Sequence, residues 1–182
     1  TTSPTIACPA NLTVACPHLI GIQFPFQNAI TPTTSDNCAV TLQTYTLSGA
    51  TNLSSPATGI NDASVEIFLA GTTTVTYYIE DAAGNSAGCS FTVTVNDFTA
   101  PNITCPSDLT LNNDSGFCSA KITQSELDFA TASDNCNGLT TTLSGITLVG
   151  GYYEFPVGTT TVKWKVTDRA GNSSTCNQTV TI

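Results

Sequence analysis

Apolar and polar residues alternate along several short stretches of the chain. Every second residue is apolar in TVTYYIED (74–81) and in TVKWKVTD (161–168), and FTVTV (91–95) and QTVTI (178–182) alternate in the same way. A period of two is typical of a β-strand with one buried face. The turn-forming motif D-x-A-G-N separates the two strands of each pair, so the pattern predicts two β-hairpins.

These hairpins belong to a longer repeat. Residues 70–89 and 157–176 are identical at eleven of twenty positions. Upstream of them, SPTIACP matches APNITCP, and TTSDNC matches TASDNC. A repeat of this length indicates a structural unit that is used twice rather than a single site.

We therefore predict two domains, at residues 1–97 and 98–182, joined by a short segment that contains proline. The first copy has eleven extra residues between its DNC and GTTTV motifs, so we expect an inserted loop near residues 50–64. Short strands with frequent turns, in units of about 90 residues, predict all-β, tandem immunoglobulin-like antiparallel β-sandwiches. The positions at which the chain starts and stops lead us to expect two units of a longer array.

Composition narrows the classes of partner. The chain has 13 acidic and 4 basic residues, and its formal net charge is −9. Such a surface repels phosphate backbones and anionic lipids, so we expect no nucleic-acid partner and no direct membrane insertion. The many threonines and the few good helix formers favour strands over helices.

Cysteine is the most informative residue type. The chain has eight cysteines, four in each copy, at positions that suggest disulfides and an oxidising compartment outside the cytosol. A structural zinc site needs closely spaced Cys or Cys/His pairs, and the spacing here does not provide them.

The order CP, C, DNC, FPVGTTTV, D-x-A-G-N and C resembles the hyalin repeat (HYR) family of immunoglobulin-like domains. The second copy carries nearly the whole signature, whereas the first has FLAGTTTV and an unusual CPHLIGIQFPF stretch. The resemblance implies an extracellular, non-enzymatic module of adhesion proteins. The threonine-rich form with four cysteines is most similar to repeats of giant surface adhesins of the Bacteroidetes, including those tied to gliding motility.

The same resemblance implies how the cysteines pair. Many members of the family keep the first and last cysteine while losing the middle two together, which suggests an outer and an inner pair in each copy. The expected disulfides are Cys8–Cys89 and Cys16–Cys38 in the first copy, and Cys105–Cys176 and Cys118–Cys136 in the second. The outer pairs also suit a sandwich, in which the first and last strands are neighbours.

Candidate catalytic groups are few. His18 is the only histidine and has no counterpart in the second copy, so we interpret it as a surface or loop residue. Gly84 and Gly171 belong to the hairpin turns rather than to a phosphate-binding loop. We therefore predict that the chain is not an enzyme.

Carboxylates near turns are candidate ligands for Ca²⁺, a hard cation that prefers oxygen. The alternative is that these side chains only bond to their own backbone, as Asp and Asn in turns commonly do, and we favour this alternative. We expect the chain to require no cofactor, with Ca²⁺ as a possible bound ion. The candidate metal ligands are Asp36, Asp81, Asp97, Asp134 and Asp168.

Aromatic residues provide one more candidate site. Tyr77-Tyr78 and Tyr152-Tyr153 are adjacent pairs, so one ring of each pair points outward from its strand. We name Tyr78 and Tyr153 as candidate contacts to a sugar or a protein, although packing against neighbouring strands explains such rings equally well. Trp164 lies on the apolar phase of its strand, and we expect it in the core.

These observations predict a non-catalytic, extracellular structural repeat segment of a larger cell-surface adhesin or fibre. In that role it is a stalk or spacer for cell adhesion or gliding-type motility. Its partners are then neighbouring repeats of the same chain, with lateral or filament self-association as a further possibility. The alternative is a module that binds a glycan or a surface protein, or an accessory domain of a secreted enzyme.

Overall fold

The computed structural model describes residues 2–16, 29–136 and 138–182. The chain divides into two units, Thr1–Phe98 and Thr99–Ile182. Unit 1 therefore ends one residue later than the domain expected from the sequence.

Strands dominate both units. Unit 1 contains β1 (Thr5–Ala7), β2 (Leu12–Ala15), β3 (Thr33–Ser35), β4 (Val40–Gly49), β5 (Leu53–Ser54), a short 3₁₀ turn (Ala63–Val65), β6 (Gly71–Asp81) and β7 (Ser86–Asn96). Unit 2 contains β8 (Asn102–Thr104), β9 (Leu109–Thr110), β10 (Ser119–Thr123), α1 (Gln124–Leu127), β11 (Thr131–Ser133), β12 (Thr140–Ser144), β13 (Leu148–Val149), β14 (Tyr152–Pro156), β15 (Thr159–Thr167) and β16 (Ser173–Thr181). The all-β prediction is confirmed.

In unit 1 a five-stranded sheet has the order β2-β7-β6-β4-β5, and β1 pairs separately with β3. The predicted hairpin is formed by β6 and β7, with Glu80 opposite Ser86 next to the turn. Among the described strands of unit 1, β2 runs parallel to β7 and the other strand pairs are antiparallel. The first part of the unit thus lies beside its last strand.

Unit 2 is built from a four-stranded sheet of order β12-β15-β16-β9 and a three-stranded sheet of order β10-β14-β13, with β8 paired to β11. Its core joins apolar residues of both larger sheets and of α1: Ile122, Leu127, Ala130, Tyr153, Phe155, Val162, Trp164 and Val180. The two sheets therefore enclose one hydrophobic core, as in a β-sandwich.

Trp164 is buried in that core, as its position in the strand pattern predicts. Its indole N–H donates to Oε1 of Gln178 on β16 at 3.1 Å. The side-chain amide of Gln178 donates in turn to the carbonyls of Leu127 (3.1 Å) and Ser107 (2.9 Å). One buried glutamine thus satisfies the polar atom of the tryptophan and ties β16 to two preceding segments.

In unit 1 the positions equivalent to Trp164 and Gln178 carry an aromatic pair. Tyr77 and Phe91 stack with ring centroids 6.5 Å apart, and an edge of Tyr45 contacts Tyr77 at 5.9 Å. The Tyr77 hydroxyl accepts from the N–H of Ala63 at 2.9 Å and donates to Asp62 at 3.1 Å. The two units therefore use different chemistry at one equivalent place in the core.

The predicted insertion at 50–64 is a packed segment and not only a surface loop. Its β5 pairs with β4, and Ala63 is fully buried. The Asn61 side chain donates to the carbonyls of Gln43, Pro56 and Thr58, at 2.9–3.2 Å. These bonds fix the segment against the edge of the unit 1 sheet.

Candidate functional site

Two disulfides connect the beginning of each unit to its last strand. Cys8, which follows β1, is bonded to Cys89 on β7, and the two Cα atoms are 5.8 Å apart. Cys105, which follows β8, is bonded in the same way to Cys176 on β16. These are the two outer pairs that the family resemblance implies.

The two inner pairs are absent, so that part of the expectation is wrong. In the described part of the chain, Cys38 and Cys118 are exposed free thiols. Cys16 and Cys136, their expected partners, are each disulfide-bonded. The register of the sheets explains why Cys38 and Cys118 do not pair within their own units.

In unit 1 the two cysteines of the inner pair lie at opposite ends of the sheet. The N–H of Cys16 donates to the carbonyl of Asn96, where β7 ends. Cys38 precedes Val40, which faces Asp81 at the other end of β6. The eleven residues of β6 span about 30 Å, whereas disulfide-bonded Cα atoms lie within about 7 Å of each other.

Unit 2 separates its inner cysteines in the same manner. The carbonyl of Cys118 accepts from the N–H of Val157, just before β15 begins. Cys136 precedes β12, whose Thr140 faces Thr167 at the end of β15. The nine residues of β15 span about 25 Å, which again exceeds the reach of a disulfide.

Each unit therefore has two distinguishable ends. We call the N-terminal end the one at which the last strand of the unit begins, and the C-terminal end the one at which that strand stops. Cys38 and Cys136 lie at the N-terminal ends of their units, and Cys16 and Cys118 lie at the C-terminal ends.

At the N-terminal end of unit 1, Asp81 caps the hairpin turn. One of its carboxylate oxygens accepts from the N–H groups of Ala83 and Asn85 (2.8 and 2.9 Å), and the other accepts from the Asn85 side chain (2.8 Å). The bond from the Asn85 side chain is the largest cause of a lowered pKa for Asp81. Asp168 and Asn172 repeat the arrangement in unit 2, at 2.8 and 2.9 Å.

A second carboxylate lies near each of these turns. Asp36 accepts from the N–H of Cys38 at 2.9 Å and of Ala39 at 3.1 Å. These backbone bonds lower the pKa of Asp36, against desolvation and, to a smaller extent, the charge of Asp81. In unit 2, Asp134 accepts from the N–H of Cys136 at 3.2 Å. One oxygen of Asp134 lies within 4.8 Å of one oxygen of Asp168.

The remaining candidate metal ligand, Asp97, is buried at the end of unit 1.

The hydrogen bonds of Asp81 and Asp168 show turn capping, the role that the sequence favours for these side chains. The backbone bonds made by Asp36 and Asp134 are of the same kind.

The choice of Tyr153 as an outward ring is wrong, whereas Tyr78 lies at the surface and its contact with a ligand stays a prediction. Tyr78 exposes 41% of its surface, and its hydroxyl donates to Glu80 at 3.0 Å. Tyr153 exposes only 8%, because it shares the inward phase of β14 with Phe155. Its neighbour Tyr152 is the outward ring, at 46% exposure.

His18 lies outside the described residues. Within the described ranges, no helix is long and apolar enough to cross a membrane.

Comparisons with known proteins point to one family. The HYR domain model matches residues 1–95 and 96–182. Hyalin of Strongylocentrotus purpuratus is 36% identical over 154 residues, which are 83% of this chain and 11% of that protein. Hyalin of Lytechinus variegatus is 35% identical over 120 residues, which are 64% of this chain and 21% of that protein. The chain thus spans a small part of both relatives.

Solved structures show only a distant likeness. Cadherin domains 3–6 of protocadherin gamma B2 match 99% of this chain and 51% of theirs, with 13% identity and a TM-score of 0.36. The SGBP-B protein of Bacteroides ovatus, in complex with a mixed-linkage heptasaccharide, matches 100% of this chain and 48% of its own chain, with 17% identity and a TM-score of 0.36. Neither likeness carries an argument about function.

Proposed function

The chain belongs to the HYR domain family, and from that premise we propose that it is a non-catalytic structural segment of a larger extracellular adhesin or fibre. In this role it is a stalk or spacer that connects adhesive parts of the protein to the cell. The observation that carries the proposal is the disulfide that joins the beginning of each unit to its last strand.

This disulfide determines how a unit responds to a pulling force. A load applied to the two ends of unit 1 passes through Cys8, the disulfide and Cys89, and bypasses the chain between them, a sequence separation of 81 positions. In unit 2 the bypassed span is 71 positions. Even an unfolded unit then lengthens little, because most of its residues lie inside a covalent loop. A segment of this kind keeps its length under force, which suits a stalk.

The same bonds support a location outside the cell. Disulfides form and persist in oxidising environments and are rare in the reducing cytosol. HYR domains as a family are modules of extracellular adhesion proteins, and the strongly acidic surface gives no basis for binding nucleic acid.

An exchange experiment in cells of the source organism tests the spacer function. The two units are replaced by two unrelated disulfide-linked immunoglobulin-like domains, and a second strain lacks the two units altogether. We expect the exchanged strain to adhere like the parent, because a spacer supplies length and not a specific surface. Antibody labelling of the intact cells, as a control, must show equal amounts of protein. Loss of adhesion in the exchanged strain would contradict the proposal.

A binding module is the second candidate, because two tyrosines on strands are exposed. Tyr78 on β6 and Tyr152 on β14 are 41% and 46% exposed, and exposed aromatic rings can stack on sugars or anchor proteins. A glycan array probed with the intact chain separates the two functions. Reproducible binding that Tyr78→Ala or Tyr152→Ala abolishes would favour the binding module over the spacer.

Calcium binding at the N-terminal ends remains a prediction. Asp36 supports it, because its Oδ1 atom is enclosed and has no hydrogen-bond partner among the described residues while Asp81 lies nearby. Melting of the intact chain in Ca²⁺ and in EDTA tests it. A calcium-dependent rise in the melting temperature that Asp36→Asn removes would support a site, and no rise would leave turn capping as the whole role.

A further inference from the structure

The two free thiols of the described chain are placed differently in their units. Cys38 lies at the N-terminal end of unit 1 and Cys118 at the C-terminal end of unit 2, and both are exposed. The other six cysteines are disulfide-bonded. An exposed thiol among oxidised cysteines is chemically available for a further disulfide.

The repeat shows that the Cys38 position is used as a half-cystine. Cys38 and Cys136 both end the same S-D-N-C motif, and the aspartate of the motif accepts from the cysteine N–H in both units. Cys136 is nevertheless disulfide-bonded and buried, whereas Cys38 is free and exposed. The same local structure therefore presents a thiol that is oxidised in one copy and unused in the other.

Neither free thiol has a partner of its own within its unit. In unit 1, Cys8 and Cys89 are bonded to each other, and Cys16 lies at the opposite end of the sheet from Cys38. In unit 2, Cys105 and Cys176 are likewise bonded to each other, and the sheet separates Cys118 from Cys136. A partner for Cys38 or Cys118 must come from elsewhere.

We propose that Cys118 and Cys38 are the two halves of a head-to-tail disulfide, formed between the C-terminal end of one copy of this chain and the N-terminal end of the next. The inference rests on the proposed array of repeats, because it requires a neighbour of the same kind. A contact between two different ends leaves one unused end on each outer copy, so it can repeat, and it generates an open fibre when its rotation does not close a ring. In the array, a junction between two successive copies of this chain would then have a covalent connection besides the main chain.

Charge disfavours a bond between two N-terminal ends. The N-terminal end of unit 1 carries Asp36 and Asp81, and the sequence up to Phe98 contains no Lys or Arg. Two such ends would bring four carboxylates together without a compensating base, which is unfavourable. The C-terminal end of unit 2 carries Asp114 and Glu154 as well as Lys121 on β10. The lysine offsets part of this charge, so a contact between different ends is less unfavourable than one between two N-terminal ends.

The bond needs an oxidant, and a low-molecular-weight disulfide such as oxidised glutathione is sufficient. Attack by the Cys38 thiolate on oxidised glutathione gives a mixed disulfide and releases one glutathione thiolate. The Cys118 thiolate of the next copy then attacks the Cys38 sulfur and releases the second glutathione. Two protein thiols lose two electrons and two protons, and one glutathione disulfide is reduced to two thiols.

Complementation between two single variants tests the proposal. The intact chain, Cys38→Ser, Cys118→Ser and an equal mixture of the two variants are incubated with a glutathione redox buffer and separated on non-reducing gels. We expect a ladder of oligomers from the intact chain and a dimer, with no larger species, from the mixture. Either variant alone should give about tenfold less dimer than the mixture, because a head-to-tail contact then lacks one of its halves.

Peptide mapping identifies the bond and controls for misfolding. The Cys8–Cys89 and Cys105–Cys176 peptides must be unchanged in both variants, and the mixed dimer must contain a Cys38–Cys118 peptide. Equal dimer from each variant alone would overturn the proposal, since it would show that the thiols pair without regard to their ends.

A tandem fusion covers the case in which free copies meet too rarely to react. Two copies are joined through Asn-Asp, the residues at positions 96 and 97 at the end of β7. We expect a disulfide between Cys118 of the first copy and Cys38 of the second. If both thiols stay free in the fusion after oxidation, the proposal is wrong, whereas the proposed spacer function, which the exchange experiment tests, would stand.

Discussion

Replacing Gln178 by leucine should destabilise unit 2 strongly although the two side chains are similar in size. Gln178 is 1% exposed and makes three hydrogen bonds, to the indole of Trp164 and to the carbonyls of Leu127 and Ser107. Leucine can make none of them. The polar groups that Gln178 satisfies would remain buried without a partner, which costs more than the loss of an average hydrogen bond.

The size of the effect follows from which groups stay enclosed. Trp164 and Leu127 are buried, whereas Ser107 is exposed and its carbonyl can turn to water. Two unsatisfied groups at about 1–3 kcal/mol each give a loss of about 2–6 kcal/mol in the free energy of unfolding. A domain of this size has a total stability of roughly 4–13 kcal/mol, so the variant should be marginally stable.

Intrinsic fluorescence isolates the unit that is affected. Trp164 is the only tryptophan of the chain, so its emission during urea denaturation reports the unfolding of unit 2, while the tyrosine signal includes unit 1. The matched control is Asn177→Ala, at the exposed neighbouring position, which should change the stability by less than about 0.5 kcal/mol. If Gln178→Leu were as stable as this control, the buried hydrogen-bond network would not hold unit 2 together.

Further predictions concern the disulfide, the turns and the close contacts of unit 1. Replacing Cys8 and Cys89 together by serine should lower the free energy of unfolding of unit 1 by about 4 kcal/mol, because the unfolded chain is no longer constrained by a covalent loop of about 80 residues. Urea denaturation followed by the near-ultraviolet circular dichroism of tyrosine measures this loss of stability. An unchanged denaturation midpoint would contradict the prediction. The bond from Asn85 holds the pKa of Asp81 below its usual 3.8, so this stabilisation is present above about pH 4 and is lost as the pH falls further. Melting temperatures between pH 2 and pH 7 should therefore fall at the acid end, and less steeply in Asn85→Ala; an identical slope would exclude the turn as the cause. Gly49→Ala should destabilise unit 1 by more than about 1 kcal/mol, since φ is +110° and the new Cβ would lie 2.6 Å from a backbone carbonyl oxygen of the next strand. Circular dichroism melting measures it, and a melting temperature equal to that of the parent chain would disprove the clash.

The hairpins could be predicted from the sequence because the patterns that specify them lie within single strands and the turn between them. Strict alternation fixes the buried face of β6 and β15, and the D-x-A-G-N motif fixes the turn between each pair of strands. Trp164 could be assigned to the core on the same basis. Tyr153 could have been assigned correctly too, because it shares its phase with Phe155, and the adjacent tyrosines concealed that signal.

The inner cysteine pairs could not be predicted, because their separation depends on sheet register. Counting cysteines in order equates Cys16 with Cys118 and Cys38 with Cys136, and the structure places each of these equivalent pairs at the same end of its unit. Counting does not reveal that the sheet holds Cys16 and Cys38, or Cys118 and Cys136, at opposite ends. The distance across a sheet is a property of the folded unit and has no local sequence signal.

The packed insertion of unit 1 was hidden for a related reason. Asp62 reads as a polar loop residue, yet it accepts from Thr31 at 2.6 Å and from Tyr77 at 3.1 Å. Burial would raise the pKa of Asp62, but the hydrogen bonds from Thr31, Ser64 and Tyr77 outweigh it and lower the pKa. Such partners are distant in the sequence, so composition alone indicates only a loop.

Single-molecule stretching of the chain tests most directly whether its units keep their length under load. Held by its two termini, the oxidised chain should lengthen by only a few tens of ångströms per unit. After reduction, unfolding should release the bypassed spans, which extend by about 280 Å in unit 1 and about 250 Å in unit 2. Steps of the longer kind in the oxidised chain would contradict the account, because the disulfides would then not carry the force.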